Sequence, residues 1–159
     1  MRKCVLLALT TVFVIAAPLF LLRALARPGG EKDSSKEKEA KMLDGRWEMV
    51  NVESEGNELG GGFRGFMAVI KGETFDVVSE DGQRVSSGTI KLDPDKKPPS
   101  IDLTYTAGAS KGMTRLGVYW LQGDTLRVAF ADAGAARPHA VESKPGSKVT
   151  LYDYRRKKD

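Results

Sequence analysis

Residues 114–131 read TRLGVYWLQGDTLRVAFA, and this stretch decides the fold class. Its two runs, 114–121 and 125–131, alternate apolar and polar side chains over much of their length. An alternation with a period of two is typical of β-strands. The connection Gln122-Gly123-Asp124 contains residues that tolerate the positive φ of a tight hairpin turn. The stretch therefore predicts an antiparallel β-hairpin.

The same pattern continues along the chain in both directions. Strands are predicted over residues 46–53, 66–71, 74–79, 85–92, 100–106, 114–121, 125–131 and 149–155. Three prolines exclude a strand interior in 93–99, and 132–148 is the longest irregular segment. No helical stretch is present to cover an open sheet. The pattern predicts an all-β, eight-stranded antiparallel up-and-down barrel over about 43–155, because closure removes exposed edges. A two-sheet sandwich is the alternative.

The alternation also predicts which side chains face the barrel interior. The inward set is Phe75, Val77, Ile90, Leu92, Ile101, Leu103, Tyr105, Leu116, Val118, Trp120, Leu126, Val128, Phe130, Val149 and Leu151. Arg115 and Arg127 fall on the opposite face and are expected to be solvated. An eight-stranded barrel is either filled by its side chains or wide enough for one small ligand, and both possibilities stay open.

If the barrel holds a ligand, six apolar side chains are predicted to contact it. They are Met49, Leu103, Val118, Trp120, Val128 and Phe130. The run 60–65, GGGFRG, has the spacing of a dinucleotide fingerprint, but no parallel strand precedes it and no helix follows. We interpret it as a mobile loop at the barrel mouth.

The opening of the first strand predicts how one end of the barrel is closed. Gly45 allows a tight entry into the strand, and Trp47 is large enough to close the end. A cation from the last strand, Arg155 or Arg156, is expected to stack on the Trp47 ring. Arg155 is preferred because it lies an even number of residues from Val149 and Leu151 and is therefore expected on the same face of the strand.

The N-terminal residues predict membrane targeting. Arg2 and Lys3 precede an uncharged run of 19 residues, 4–22. Residues 1–26 are expected to act as a signal peptide cleaved near 24–26 or as an uncleaved membrane anchor. Export to the periplasm or cell envelope follows if Arg2 and Lys3 stay inside, although basic residues beyond the run leave the reverse orientation open. Residues 27–42 are predicted to be a charged flexible spacer. A turn or two of helix over 35–41 is the alternative, but no apolar face is present to hold it.

The distribution of charge excludes an obvious nucleic-acid surface. The net charge is +4, but residues 42–154 contain 13 basic and 16 acidic side chains. A nucleic-acid-binding protein needs a basic stripe on its folded body. With one Cys and one His, the chain cannot form a multi-ligand His/Cys metal site, and no nucleophile–base pair is recognisable. We therefore expect a protein that is not an enzyme and has no cofactor, no metal and no nucleic-acid partner.

Several segments together carry a resemblance to a known family. They are the Leu43-x-Gly45-x-Trp47 opening, 69–74 (VIKGET), 88–94 (GTIKLDP), 101–103 (IDL), 112–121 (GMTRLGVYWL) and 123–126 (GDTL). The chain resembles the lipocalin-like domain family of planctomycete proteins, whose function is uncharacterised. The resemblance covers most of 43–155 and implies an exported small barrel, here assigned to residues 43–159. Many relatives have a Cys where this chain has Ala129, which argues against thiol chemistry.

Two functions remain compatible with these observations. In the first, the barrel binds a small hydrophobic or lipid-like molecule, and residues 4–22 contact the membrane if they are not removed. In the second, the barrel is filled and its surface interacts with a protein or envelope partner.

Overall fold

The computed structural model describes residues 30–158, which form one helix, one short 3₁₀ helix and nine strands. The helix is α1 (Gly30–Leu43), and the 3₁₀ helix is Gly60–Phe63. The strands are β1 (Gly45–Ser54), β2 (Asn57–Glu58), β3 (Met67–Lys71), β4 (Thr74–Val78), β5 (Arg84–Asp93), β6 (Ser100–Gly108), β7 (Thr114–Gln122), β8 (Thr125–Ala131) and β9 (Val149–Lys157).

The sheet closes into a barrel of eight antiparallel strands. From β3 to β9, each strand pairs with the next, and β1 pairs with both β3 and β9. The two-residue strand β2 is paired with β1 and stands outside the closed ring. The predicted eight-stranded antiparallel barrel is confirmed, and the sandwich alternative is wrong because the β1–β9 pairing leaves a single closed sheet.

The strand directions define two ends of the barrel. The connections 55–66, 79–83, 109–113 and 132–148 lie at one end, which we call the open end. At the other, the closed end, lie α1 and the connections 72–73, 94–99 and 123–124. GGGFRG, at 60–65, therefore belongs to the open end, where it forms the 3₁₀ helix and the residues that follow it.

Helix α1 corrects the prediction for residues 27–42, because the expected flexible spacer is helical from Gly30 onward. The exposed helix has little apolar surface of its own, but its C-terminal part is held by the barrel. Leu43 is fully buried, and its carbonyl accepts a hydrogen bond of 2.7 Å from Trp47 Nε1. The Tyr119 hydroxyl donates to Glu39 Oε1 at 3.1 Å. Trp47 lies four residues after Leu43, whereas Tyr119 lies 80 residues from Glu39, so the local sequence shows only part of what holds the helix.

The apolar residues form two clusters on opposite sides of the sheet. The larger cluster lies inside the barrel and includes Trp47, Tyr119 and Phe130. The smaller cluster contains Val118, Ala129, Val149 and Leu151, packed against Val141 of the 132–148 connection. Since side chains of adjacent residues point to opposite faces of a strand, this second cluster lies on the outer face, beneath that connection.

The second cluster overturns part of the predicted inward set. Leu116, Val118, Trp120, Val149 and Leu151 face outward, and β7 instead directs Arg115, Gly117 and Tyr119 to the interior. Trp120 is 44% exposed. The prediction failed here because β7 has large apolar side chains on both faces. Tyr119 and Leu121 face the lumen, and Val118 lies beneath the 132–148 connection.

The prediction of a membrane segment at 1–26 lies outside the described residues. Within residues 30–158, no helix has both the length and the apolar character needed to cross a membrane.

Candidate binding site

A cavity of about 280 Å³ lies inside the barrel and extends toward the open end. All eight strands of the ring contribute side chains to it, among them Ile70, Phe75, Ile90 and Leu126. Ligand pockets in proteins usually have volumes of roughly 300–1,000 Å³ and are mostly apolar. The cavity is therefore at the small end of the ligand-binding range.

The mouth of the cavity is formed by residues from two connections and from the strand ends beside them. Phe63 and Phe66, from the β1–β3 connection, pack edge to face with ring centroids 6.1 Å apart. Val85 and Ser86 of β5 line the mouth from another side, together with Ala109 and Ser110. The mouth thus combines apolar rings with two hydroxyl groups.

Four of the six predicted contact residues line this cavity. They are Met49, Leu103, Val128 and Phe130. Val118 and Trp120 do not, because both point to the outer face of β7. Tyr119 faces the interior from β7 and is 1% exposed, but it does not line the cavity.

Arg115 is the charged side chain of this cavity, and it corrects the expectation of a solvated position. It is half-buried at the start of β7. Its Nε donates to the Ala131 carbonyl at 3.0 Å, and its Nη2 donates to the Phe130 carbonyl at 3.3 Å. Its Nη1 donates to the Tyr152 hydroxyl at 3.0 Å. The guanidinium is therefore held at the open end of the cavity by neutral oxygen atoms.

Aromatic rings surround the guanidinium. Arg115 Cζ lies 5.5 Å from the centroid of the Phe130 ring and 5.9 Å from that of Tyr152. Both distances are within the range of a cation–π interaction. Burial raises the pKa of Tyr105, whose hydroxyl is also near Arg115, and burial raises that of Tyr154. These hydroxyls stay neutral at physiological pH, so the positive charge of Arg115 is not neutralised by them.

No carboxylate compensates Arg115 within residues 30–158. The ion pairs of this part of the chain involve other arginines and lysines. The residues that line the cavity include no Asp or Glu. The guanidinium at the mouth can bind a hydrogen-bond acceptor or an anionic group of a ligand. The apolar part of the cavity below it can hold an apolar group of the same ligand.

One feature of the sequence indicates that Arg115 faces the interior. Gly117 lies two residues further along β7 and so shares its face, and a Cβ at Gly117 would lie 2.5 Å from Phe130 Cδ1. A glycine that leaves room for a large ring marks the interior face. Arg115, Gly117 and Tyr119 therefore share the lumen side.

At the closed end, Gly45 and Trp47 adopt the predicted arrangement with a different arginine. Arg156 Cζ lies 4.1 Å from the Trp47 ring centroid. The preference for Arg155 is wrong, because Trp47 pairs with Arg156 across β1 and β9, whereas Arg155 pairs with Glu48. The parity argument used Val149 and Leu151, which face outward.

No group of three or more His, Cys, Asp or Glu side chains suited to a metal ion occurs in residues 30–158.

Comparisons with known proteins found no match: no family model, no curated protein and no solved structure is significantly similar to this chain.

Proposed function

We propose that this protein is a binding module that holds one small, largely apolar molecule inside its barrel. The observation that carries the proposal is the 280 Å³ cavity, which is lined from every strand of the ring and reaches the open end. A filled barrel would have no such space. The partly buried rings of Phe63 and Phe66 line the mouth, which gives an apolar ligand a route into the interior.

The proposal includes the class and location expected from the sequence. We propose an exported, non-enzymatic, lipocalin-like protein of the periplasm or cell envelope, on the basis of the charged start and the apolar run 4–22. The side chains that line the cavity support a binding role rather than catalysis, because their polar groups are one guanidinium and several neutral hydroxyls. They do not include a carboxylate or imidazole to act as a general base.

A second candidate function is interaction with a protein or envelope partner through the outer face. The observation that favours it is Trp120, which is 44% exposed on β7. Exposed tryptophans are enriched in protein interfaces. The two candidates predict different effects of substitutions at the outer face and in the cavity.

A ligand screen with two variants tests the proposal. The full chain is screened by thermal shift against decanoic acid, decan-1-ol and geraniol, and the protein as purified is examined by native mass spectrometry. A ligand at a hundredfold excess over its Kd stabilises the folded state by about 2.7 kcal/mol. Ala68→Leu adds bulk to the cavity and should abolish the shift. Trp120→Ser is the outer-face control and should keep it.

Two results would overturn the proposal. One is the absence of any thermal shift together with the absence of a copurified mass. The other is a shift that Trp120→Ser abolishes and Ala68→Leu retains, which would place the ligand on the outer face.

A further inference from the structure

The position of Arg115 constrains the chemistry of the ligand. Arg115 is the only charged side chain among the residues that line the cavity, within the part of the chain that the structure describes. Its recorded partners are the neutral oxygens of Ala131, Phe130 and Tyr152. Withdrawing a cation from water without an anionic partner is unfavourable, and an anion bound from solution offsets that cost.

We propose that the ligand is a medium-chain monocarboxylate whose carboxylate binds Arg115. This inference rests on the proposed binding function and specifies its ligand class. A guanidinium recognises a carboxylate through charge-assisted hydrogen bonds. The Tyr105 and Tyr152 hydroxyls, beside Arg115, are further donors for the same head group.

The barrel sets the orientation of the ligand. Arg115 is the second residue of β7 and lies at the open end. Below it, toward the closed end, the cavity wall is apolar and includes Ile70, Ile90 and Leu126. The carboxylate therefore lies near the mouth, and the alkyl chain points toward the closed end.

The volume of the cavity limits the length of the chain. At about 30 Å³ for each water-sized group, 280 Å³ accommodates on the order of ten non-hydrogen atoms. A saturated acid of about eight to ten carbons, which has about ten to twelve non-hydrogen atoms, fills this space. Affinity should rise with chain length to about that point and then stop rising.

A purely structural role for Arg115 is the competing interpretation. Its bonds to the Ala131 and Phe130 carbonyls join the start of β7 to the end of β8. Such a role predicts lower stability when Arg115 is replaced, but no preference for an acid over an alcohol of the same length. The comparison of two ligands on the unmodified protein therefore separates the two roles without any variant.

Calorimetric titration of the full chain with decanoate and with decan-1-ol tests the proposal. Decanoate should bind at least about tenfold more tightly, since a hydrogen bond to a charged group contributes a factor of this size. Arg115→Met should reduce this preference to within about threefold. Arg115→Lys should retain part of it. Arg127→Met is the matched control, because Arg127 lies on the outer face in an ion pair with Asp153, and it should retain the full preference.

The outcomes distinguish the two proposals. If neither compound binds and no apolar ligand in the screen does, the binding function itself fails. If both bind with equal affinity, the cavity binds apolar ligands and the carboxylate inference is wrong. A decanoate preference that persists in Arg115→Met also overturns it. If Arg115→Met does not fold, the comparison of decanoate with decan-1-ol on the unmodified protein decides.

Discussion

Trp47 closes one end of the barrel through the arginine that stacks on its ring and the hydrogen bond that its nitrogen donates. The side chain is fully buried. Arg156 stacks on the ring, and its guanidinium donates to the Asp44 and Met42 carbonyls, which connects β9 to the end of α1. Gly45 has a φ of 132°, and a Cβ there would lie 2.7 Å from Arg156 Nη1. The closed end therefore depends on a glycine, a tryptophan and one particular arginine.

Replacing Arg156 tests this arrangement. Arg156→Met removes the cation–π contact and two hydrogen bonds to carbonyls, so the free energy of unfolding should fall by about 2–4 kcal/mol. Arg155→Met is the matched control and should change it by less than about 0.5 kcal/mol, because Arg155 is exposed. Urea denaturation of both variants measures the difference. Equal losses would show that the stacked arginine has no special role.

The connection 132–148 covers the outer face of the barrel and is attached by Arg137. Arg137 Nη1 donates to the Gly117 carbonyl at 2.6 Å and forms an ion pair of 2.6 Å with Asp102 Oδ1. Both side chains are about one-quarter exposed. Beneath the connection, Val141 packs on the outer cluster that contains Val118 and Leu151. This long irregular segment therefore acts as a cover for apolar residues of β7, β8 and β9.

Replacing Arg137 should loosen this cover. Arg137→Met removes a partly buried ion pair and a charged hydrogen bond, so the free energy of unfolding should fall by about 1–3 kcal/mol. Amide hydrogen exchange in 132–148 should accelerate, because local opening becomes easier. Lys144→Met, which removes the exposed pair with Glu142 in the same segment, is the control and should leave exchange nearly unchanged. Unchanged exchange in Arg137→Met would contradict the assigned role.

At the scale of the whole molecule, barrel closure buries tyrosine hydroxyls in the interior. Burial raises the pKa of Tyr154 and Tyr105 above the ordinary value of 10.0. Burial raises the pKa of Tyr119 above the same value, and the nearby Glu39 carboxylate raises it further. The folded barrel therefore keeps protons that the unfolded chain releases in alkali.

This difference predicts a pH-dependent loss of stability above about pH 10. The unfolded state binds fewer protons than the folded state there, so the free energy of unfolding falls as pH rises, by about 1.4 kcal/mol per pH unit for each such tyrosine. The stability contribution is complete below the unfolded-state pKa. Tyr119→Phe should reduce the slope of the free energy of unfolding against pH by the contribution of one proton, about 1.4 kcal/mol per pH unit. Urea denaturation between pH 7 and pH 11 measures it, with the range from pH 7 to 9 as the internal reference. An identical alkaline slope in Tyr119→Phe would refute the assignment.

From the sequence alone, the strands, their turns and the closed barrel were predictable. Period-two alternation and short turns such as Gln122-Gly123-Asp124 are local properties, and they identified every strand of the ring to within a few residues. The short strand β2 was not identified, and for helix α1 only a turn or two over 35–41 was considered. β2 has two residues, and α1 is held by Trp47, just beyond its C-terminus, and by Tyr119 and Arg156, which lie far from it in the sequence.

The tertiary structure decided which faces of β7 and β9 point inward. Both strands are apolar on two faces, so alternation identifies two sets of residues without showing which one is inside. Packing of the 132–148 connection places Val118, Val149 and Leu151 outside, which directs Arg115 and Tyr119 into the lumen. The register across a bulge between Met49 and Asn51 similarly pairs Trp47 with Arg156. Alternation depends on the backbone of one strand, but orientation and register depend on how the whole ring closes.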